Sequence, residues 1–79
     1  MSEPLVLDVR HLPPPEPMER ILLGLRVLEG DRELRVLIHR EPFPLYKVLA
    51  ERGFAWRTTE LPEVGFELVI RREPAAAQA

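Results

Sequence analysis

Short apolar runs alternate with amphipathic stretches along this chain, and prolines or glycines mark most of the boundaries between them. Residues 5–9 form the first apolar run and predict a strand. The proline-rich segment 13–17 cannot extend that strand, but proline is tolerated in the first turn of a helix. Apolar residues then recur at helical spacing, at Met18, Ile21, Leu22, Leu25 and Leu28. We therefore expect a first helix that begins within 13–17 and is capped at its C-terminus by Gly30.

The same alternation continues through the rest of the chain. Residues 33–39 predict a second strand, and a proline-containing turn leads into a second helix that Gly53 ends. Two further stretches, 54–60 and 66–71, are separated by a turn and predict an antiparallel hairpin. The predicted order of elements is therefore β-α-β-α-β-β.

This order predicts the fold class α+β, in the form of a two-layer α/β sandwich. A four-stranded mixed sheet carries both helices on one face, because right-handed crossovers place them there. Residues 1–73 form the single predicted domain, and residues 74–79 are expected to be a disordered tail.

One face of the predicted sheet has no helix to cover it. Alternation along the second strand turns Leu34, Val36 and Ile38 toward the helices and their neighbours outward. The outward set mixes arginine with aliphatic residues: Arg35, Leu37, Val69 and Arg71. Such mixtures are typical of protein interfaces, so we expect this open sheet face to bind a protein partner or a second copy of the chain.

The amino-acid composition argues against several classes of function. The 79 residues include no cysteine, which excludes disulfides, thiolate metal sites and thiol catalysis. The net charge of −2 does not favour nucleic-acid binding through bulk electrostatics. No apolar run is long enough to span a membrane and the start lacks the features of a signal peptide, so we expect a cytoplasmic protein. Lys47 is the only lysine, and this arginine-rich composition is typical of a heat-adapted or GC-rich source.

Residues 7–17 read LDVRHLPPPEP, which resembles the opening of the TusA/SirA-like family of small β-α-β-α-β-β domains, LDxRGLxCPEP. In that family the motif cysteine carries a persulfide along a sulfur relay. Pro14 stands at this position here, so the resemblance implies the fold without persulfide transfer. Residues 39–46, HREPFPLY, resemble a cysteine-less branch catalogued as a domain of unknown function, whose members occur alone or fused to hemerythrin-like domains. That branch implies a link to sulfur or redox metabolism.

Two Arg/His pairs follow the first two predicted strands. Together they form a candidate site that we call the Arg/His edge: Arg10, His11, His39 and Arg40. The carboxyl edge of parallel strands is where α/β sheets usually bind ligands, which predicts a small-anion pocket backed by the helix N-termini. The prolines nearby argue against it, since they remove N–H donors. The alternative is that these side chains pair with Asp8 or Glu41.

The sequence predicts no catalytic residue, metal site or cofactor. Neither histidine has a metal-binding partner at helical spacing, and no serine or threonine lies in a nucleophile elbow. Tyr46 is expected to pack, and the aromatic residues belong mainly to the core, with Trp56 or Phe43 the most available for stacking. We therefore predict a non-catalytic binding module for a protein partner or small anion. A ligand sensor or metal-assisted enzyme using the Arg/His edge, and an RNA-associated protein, remain the alternatives.

Overall fold

The computed structural model describes residues 3–73 of the chain. Six elements follow one another: β1 (Leu5–Asp8), α1 (Glu16–Arg26), β2 (Leu34–Ile38), α2 (Phe43–Glu51), β3 (Phe54–Leu61) and β4 (Gly65–Arg72). The predicted order β-α-β-α-β-β is confirmed. The tail predicted at residues 74–79 lies outside the described residues.

The four strands form one mixed sheet in the order β1-β2-β4-β3. β1 pairs with β2 in parallel, with Leu5 opposite Leu34. β4 lies between β2 and β3 and is antiparallel to both. The predicted parallel pair and the predicted hairpin are therefore both present, and β1 and β3 form the two edges.

Both helices cover the same face of this sheet and enclose an apolar core. The strand β2 shows why the core lies on one face of the sheet. Its alternate residues Leu34, Val36 and Ile38 are buried, while the residues between them are not. The buried core contains aliphatic side chains and one phenylalanine: Val9, Ile21, Leu25, Leu28, Leu34, Val36, Ile38, Leu45, Leu49, Phe54, Leu68 and Ile70. Within residues 3–73 no polar or charged side chain is fully buried, so apolar burial supplies the main stabilising force.

The first helix ends earlier than its apolar pattern predicts. α1 stops at Arg26, and the N–H groups of Val27 and Leu28 donate to carbonyls three residues back, which tightens the last turn. The chain leaves the helix there, and Leu28 still reaches the core with 2% of its surface exposed. The prediction that Gly30 caps this helix is wrong. Gly30 lies in the following turn with φ at 58°.

Gly65 allows the start of β4 to approach the end of β2. Its φ is 124°, a conformation that residues with a Cβ rarely adopt. A Cβ atom built there would lie 2.5 Å from the carbonyl oxygen of Ile38 and 2.7 Å from Cα of His39. The end of β2 and the loop that follows it are therefore held in place by a contact that only glycine permits.

We predict that Gly65→Ala destabilises the protein by about 3 kcal/mol or more, since backbone strain and steric overlap add. Gly30→Ala is the matched control, because Gly30 also has a positive φ but no atom within 4 Å of the added Cβ. We expect it to lose only about 1 kcal/mol. Urea unfolding measures both values, and equal losses in the two variants would contradict the close-approach argument.

Candidate functional site

A pocket opens at the carboxyl end of β2, between the first turns of α1 and α2. Its volume is about 330 Å³. The lining residues are Leu12, Pro14, Pro15, Pro17, Met18, Ile21, Ile38, His39, Arg40, Glu41, Pro42, Pro44 and Leu45. Almost all of this wall is apolar, and the polar side chains belong to one short segment that follows β2.

The prolines that start the two helices also build the pocket wall. Pro15 and Pro42 are the N-cap residues of α1 and α2, and Pro17 and Pro44 lie in the first turns. Proline fits these positions because the first N–H groups of a helix have no partner within the helix. Its ring then adds apolar surface where a backbone donor would otherwise be available.

The helix N-termini offer few donors to a ligand. The N–H of Glu16 donates to the carbonyl of Pro13 at 3.0 Å, and that of Phe43 donates to the carbonyl of Glu41 at 3.0 Å. The prolines of both first turns have no N–H at all. An anion in this pocket would therefore depend mainly on side-chain donors.

Three consecutive polar residues lie on the rim of the pocket: His39, Arg40 and Glu41. His39 and Arg40 are exposed, whereas Glu41 is half-buried. Although Arg40 and Glu41 are adjacent and opposite in charge, they form no ion pair with each other, and within residues 3–73 Arg40 has no carboxylate partner. The rim therefore presents a guanidinium group that is free to bind a ligand.

The other half of the Arg/His edge lies elsewhere. Arg10 forms a bidentate ion pair with Asp8, with Nη2 2.7 Å from Oδ2 and Nε 2.9 Å from Oδ1. Its backbone N–H also donates to Oδ1 of Asp8, at 3.1 Å. His11 is exposed, and neither Arg10 nor His11 lines the pocket. The structure thus brings His39 and Arg40 to the pocket, while Arg10 makes the pairing that the alternative interpretation predicted.

Glu41 is oriented by a tyrosine on α2. The hydroxyl of Tyr46 donates to Oε2 of Glu41 at 2.9 Å and lies 2.6 Å from Oγ1 of Thr58 on β3. Because the hydroxyl has one hydrogen, Thr58 is the donor in the second bond. The Tyr46 ring stacks on Trp56, with centroids 5.4 Å apart and planes 10° from parallel. The carboxylate at the rim is therefore connected to the sheet through a rigid aromatic pair.

This packing changes the interpretation of the aromatic residues. Trp56 lies on the helix side of the sheet and packs against the core, so it does not form an exposed stacking platform. Phe43 is 66% exposed and meets Tyr46 edge-on at a centroid distance of 5.9 Å. Of the two aromatic residues that the sequence leaves available for stacking, only Phe43 is largely exposed.

Sequence reasoning missed most of the pocket wall. The prolines at 13–17 and 42–44 signalled helix starts, but not that the two starts face each other across a cavity. The signal that would have found it is the combination of two proline-rich segments with two parallel strands. The bond between Tyr46 and Glu41 had no such signal, since their spacing matches no helical repeat.

The open sheet face has the predicted composition. Arg35 and Arg71 are exposed and Leu37 and Val69 are half-buried, all on the side away from the helices. Arg35 lies opposite Val69, and its Nε is 3.5 Å from Oε2 of Glu67. The role of this face in binding a protein partner or a second copy stays a prediction.

Within residues 3–73, no three histidine, aspartate or glutamate side chains gather in a group that could hold a metal ion. The carboxylates of Asp8, Glu16 and Glu41 therefore form no such group. No helix in this part of the chain is both long and apolar enough to cross a bilayer.

Fold and site together define a small two-layer α/β protein with an apolar pocket at the carboxyl edge of its parallel strands. The family model described as "Uncharacterized conserved protein (DUF2249)" matches residues 6–72, so the chain belongs to that family. No curated protein and no solved structure matched it. Membership of a family of unknown function is confirmed. The relation to the TusA/SirA-like family stays a prediction.

The ion pair that holds Arg10 predicts an unusual acidity for Asp8. Hydrogen bonds from the side chain and then the backbone of Arg10 lower the pKa of Asp8 from 3.8 to about 2. A lowered pKa in the folded protein stabilises it above the ordinary pKa, and this contribution disappears as the pH falls through about 2. A carbon-13 NMR titration should find this value, and Arg10→Gln should return it toward the ordinary range. Arg35→Gln is the control and should leave it unchanged.

Tyr46 is the only tyrosine, so its titration can be followed by ultraviolet absorbance without overlap. Burial raises the pKa of Tyr46 and the Glu41 carboxylate raises it further, while the bond to Thr58 lowers it. We expect a midpoint above 10.0, which Glu41→Gln moves downward. The raised pKa stabilises the folded protein below the ordinary value, and that contribution is lost as the pH rises through the folded value. A midpoint at or below the ordinary value would contradict the packing described above.

Proposed function

We propose that this protein is a non-catalytic binding module, which holds a small ligand with an apolar body and an anionic group in the pocket between α1 and α2. The pocket itself is the observation that supports the proposal. Its volume of about 330 Å³ lies at the small end of the range for ligand sites, which runs from about 300 to 1,000 Å³. A ligand of this site is therefore a small organic molecule.

The wall supports an apolar body. Met18 and Ile21 from α1 face Leu45 from α2, and proline rings close the sides. Transfer of apolar surface from water to such a wall contributes about 25 cal/mol for each Å² buried. A branched aliphatic group has the size and chemistry to use it.

The rim supports an anionic group. Arg40 is exposed at the mouth and its planar guanidinium can donate two parallel hydrogen bonds to a carboxylate. His39 lies beside it as a second donor. Since the amides of Glu16 and Phe43 already donate to backbone carbonyls and Pro17 and Pro44 have none, we propose that Arg40 carries most of the recognition of the charge.

The absence of catalysis is part of the proposal. The polar groups at the pocket are His39, Arg40 and Glu41, and the hydroxyl of Tyr46 is engaged by two partners. Pro14, at the position where the TusA/SirA resemblance places the sulfur-carrying cysteine, also lines the pocket. A chain without cysteine cannot carry a persulfide, so we propose that it binds a ligand there instead, in a role linked to sulfur or redox metabolism.

The first test uses 4-methylpentanoate as the probe, because it combines a branched apolar body with one carboxylate. We expect a Kd on the order of 1 mM by isothermal titration calorimetry, as befits a ligand with few atoms. Met18→Trp fills the pocket and should abolish binding. Leu23→Trp is the matched control on the same helix, since Leu23 is 56% exposed and lies outside the pocket, and it should bind as the parent does.

Circular dichroism and urea unfolding of both variants separate loss of binding from loss of the fold. Arg40→Gln tests the anionic end and should weaken binding about tenfold, the usual effect of losing one charged hydrogen bond. Equal binding by the Met18→Trp and Leu23→Trp variants would place the probe elsewhere and overturn the proposal.

A further inference from the structure

We infer that the ligand of this pocket is a zwitterion, an α-amino acid with an apolar side chain. Arg40 binds its carboxylate and Glu41 binds its ammonium group. The inference rests on the function proposed above and adds a second, positive charge to the ligand.

The two charges on the rim carry the argument. Arg40 and Glu41 are consecutive residues, both line the pocket, and they do not pair with each other. Opposite charges left unpaired at the mouth of an apolar pocket match a ligand whose own opposite charges lie close together. In an α-amino acid both charged groups are attached to one carbon, which also bears the side chain.

Glu41 is held in place for such a contact. Its Oε2 accepts a hydrogen bond from the hydroxyl of Tyr46 at 2.9 Å, and within residues 3–73 its Oε1 accepts no hydrogen bond. Because Tyr46 is itself fixed by Thr58 and by stacking on Trp56, the carboxylate does not have to be ordered when the ligand binds. The unused oxygen is therefore available to an ammonium group.

A simple anion fits this rim less well than a zwitterion. A carboxylate bound by Arg40 would lie near the negative charge of Glu41, and like charges that close to each other repel. An ammonium group on the same ligand replaces that repulsion with a charge-assisted hydrogen bond. Neither first turn offers enough free amides to bind an anion of higher charge, such as phosphate.

Three probes of nearly the same shape test the inference by calorimetry. L-leucine carries both charges, 4-methylpentanoate carries only the carboxylate, and 3-methylbutylamine carries only the ammonium group. We expect leucine to bind about tenfold more tightly than either of the others, which corresponds to about one charge-assisted hydrogen bond.

Variants then assign each charge. Glu41→Gln keeps the shape and the acceptor for Tyr46, so it should weaken leucine about tenfold and leave 4-methylpentanoate unchanged or slightly tighter. Arg40→Gln should weaken both. Glu51→Gln removes an exposed glutamate outside the pocket and is the matched control, with no change expected.

Each of the other outcomes contradicts the zwitterion inference, the proposed binding function or both. If 4-methylpentanoate binds as tightly as leucine, the zwitterion inference fails and the proposed binding function stands. If 3-methylbutylamine binds most tightly, Arg40 does not have the role that the zwitterion inference and the proposed function both assign to it. If none of the three binds at about 10 mM, well above the expected Kd, the proposed function fails together with the inference.

Discussion

The parallel pairing of β1 with β2 brings two proline-rich segments to one edge of the sheet. Because Leu5 lies opposite Leu34 in a parallel register, the carboxyl ends of the two strands are neighbours, and each is followed there by a loop that starts a helix. Proline supplies a ring instead of an N–H group in those first turns. The space between the helix starts therefore has apolar walls, and the residues that begin the helices are also the walls of the pocket.

The thin core explains why the site lies at an edge. A chain of this size buries only about 60% of the surface of its unfolded form, so its interior is too small to contain a deep cleft. The residues that fill the core from the sheet, such as Val36 and Leu68, are fully buried and aliphatic. Gly65 completes the arrangement, since its missing Cβ lets β4 pack against the end of β2 beneath the rim. The close contact at Gly65 thus stabilises the sheet and also positions the residues that line the pocket.

The sequence predicted what depends on periodicity and little of what depends on side-chain geometry. Alternation along β2 and β4 correctly separated the core face from the open sheet face, because a strand has only two sides. The end of α1 was missed because Leu28 keeps the apolar spacing of a helix while lying just beyond one. The bond from Tyr46 to Glu41 and its stacking on Trp56 join separate elements. No local pattern records such contacts.

Arg10 and Arg40 show that one neighbouring residue determines whether an arginine forms an ion pair. Each arginine lies two residues beyond the last residue of a parallel strand, Asp8 for β1 and Ile38 for β2. A carboxylate at that position accepts a bidentate pair and removes Arg10 from the edge, whereas an isoleucine accepts nothing. Arg40 is followed by Glu41, which forms no ion pair with it and accepts a hydrogen bond from Tyr46 through Oε2. The same topology thus produces one arginine that pairs with a carboxylate and one that, within residues 3–73, does not, and the second lies at the pocket.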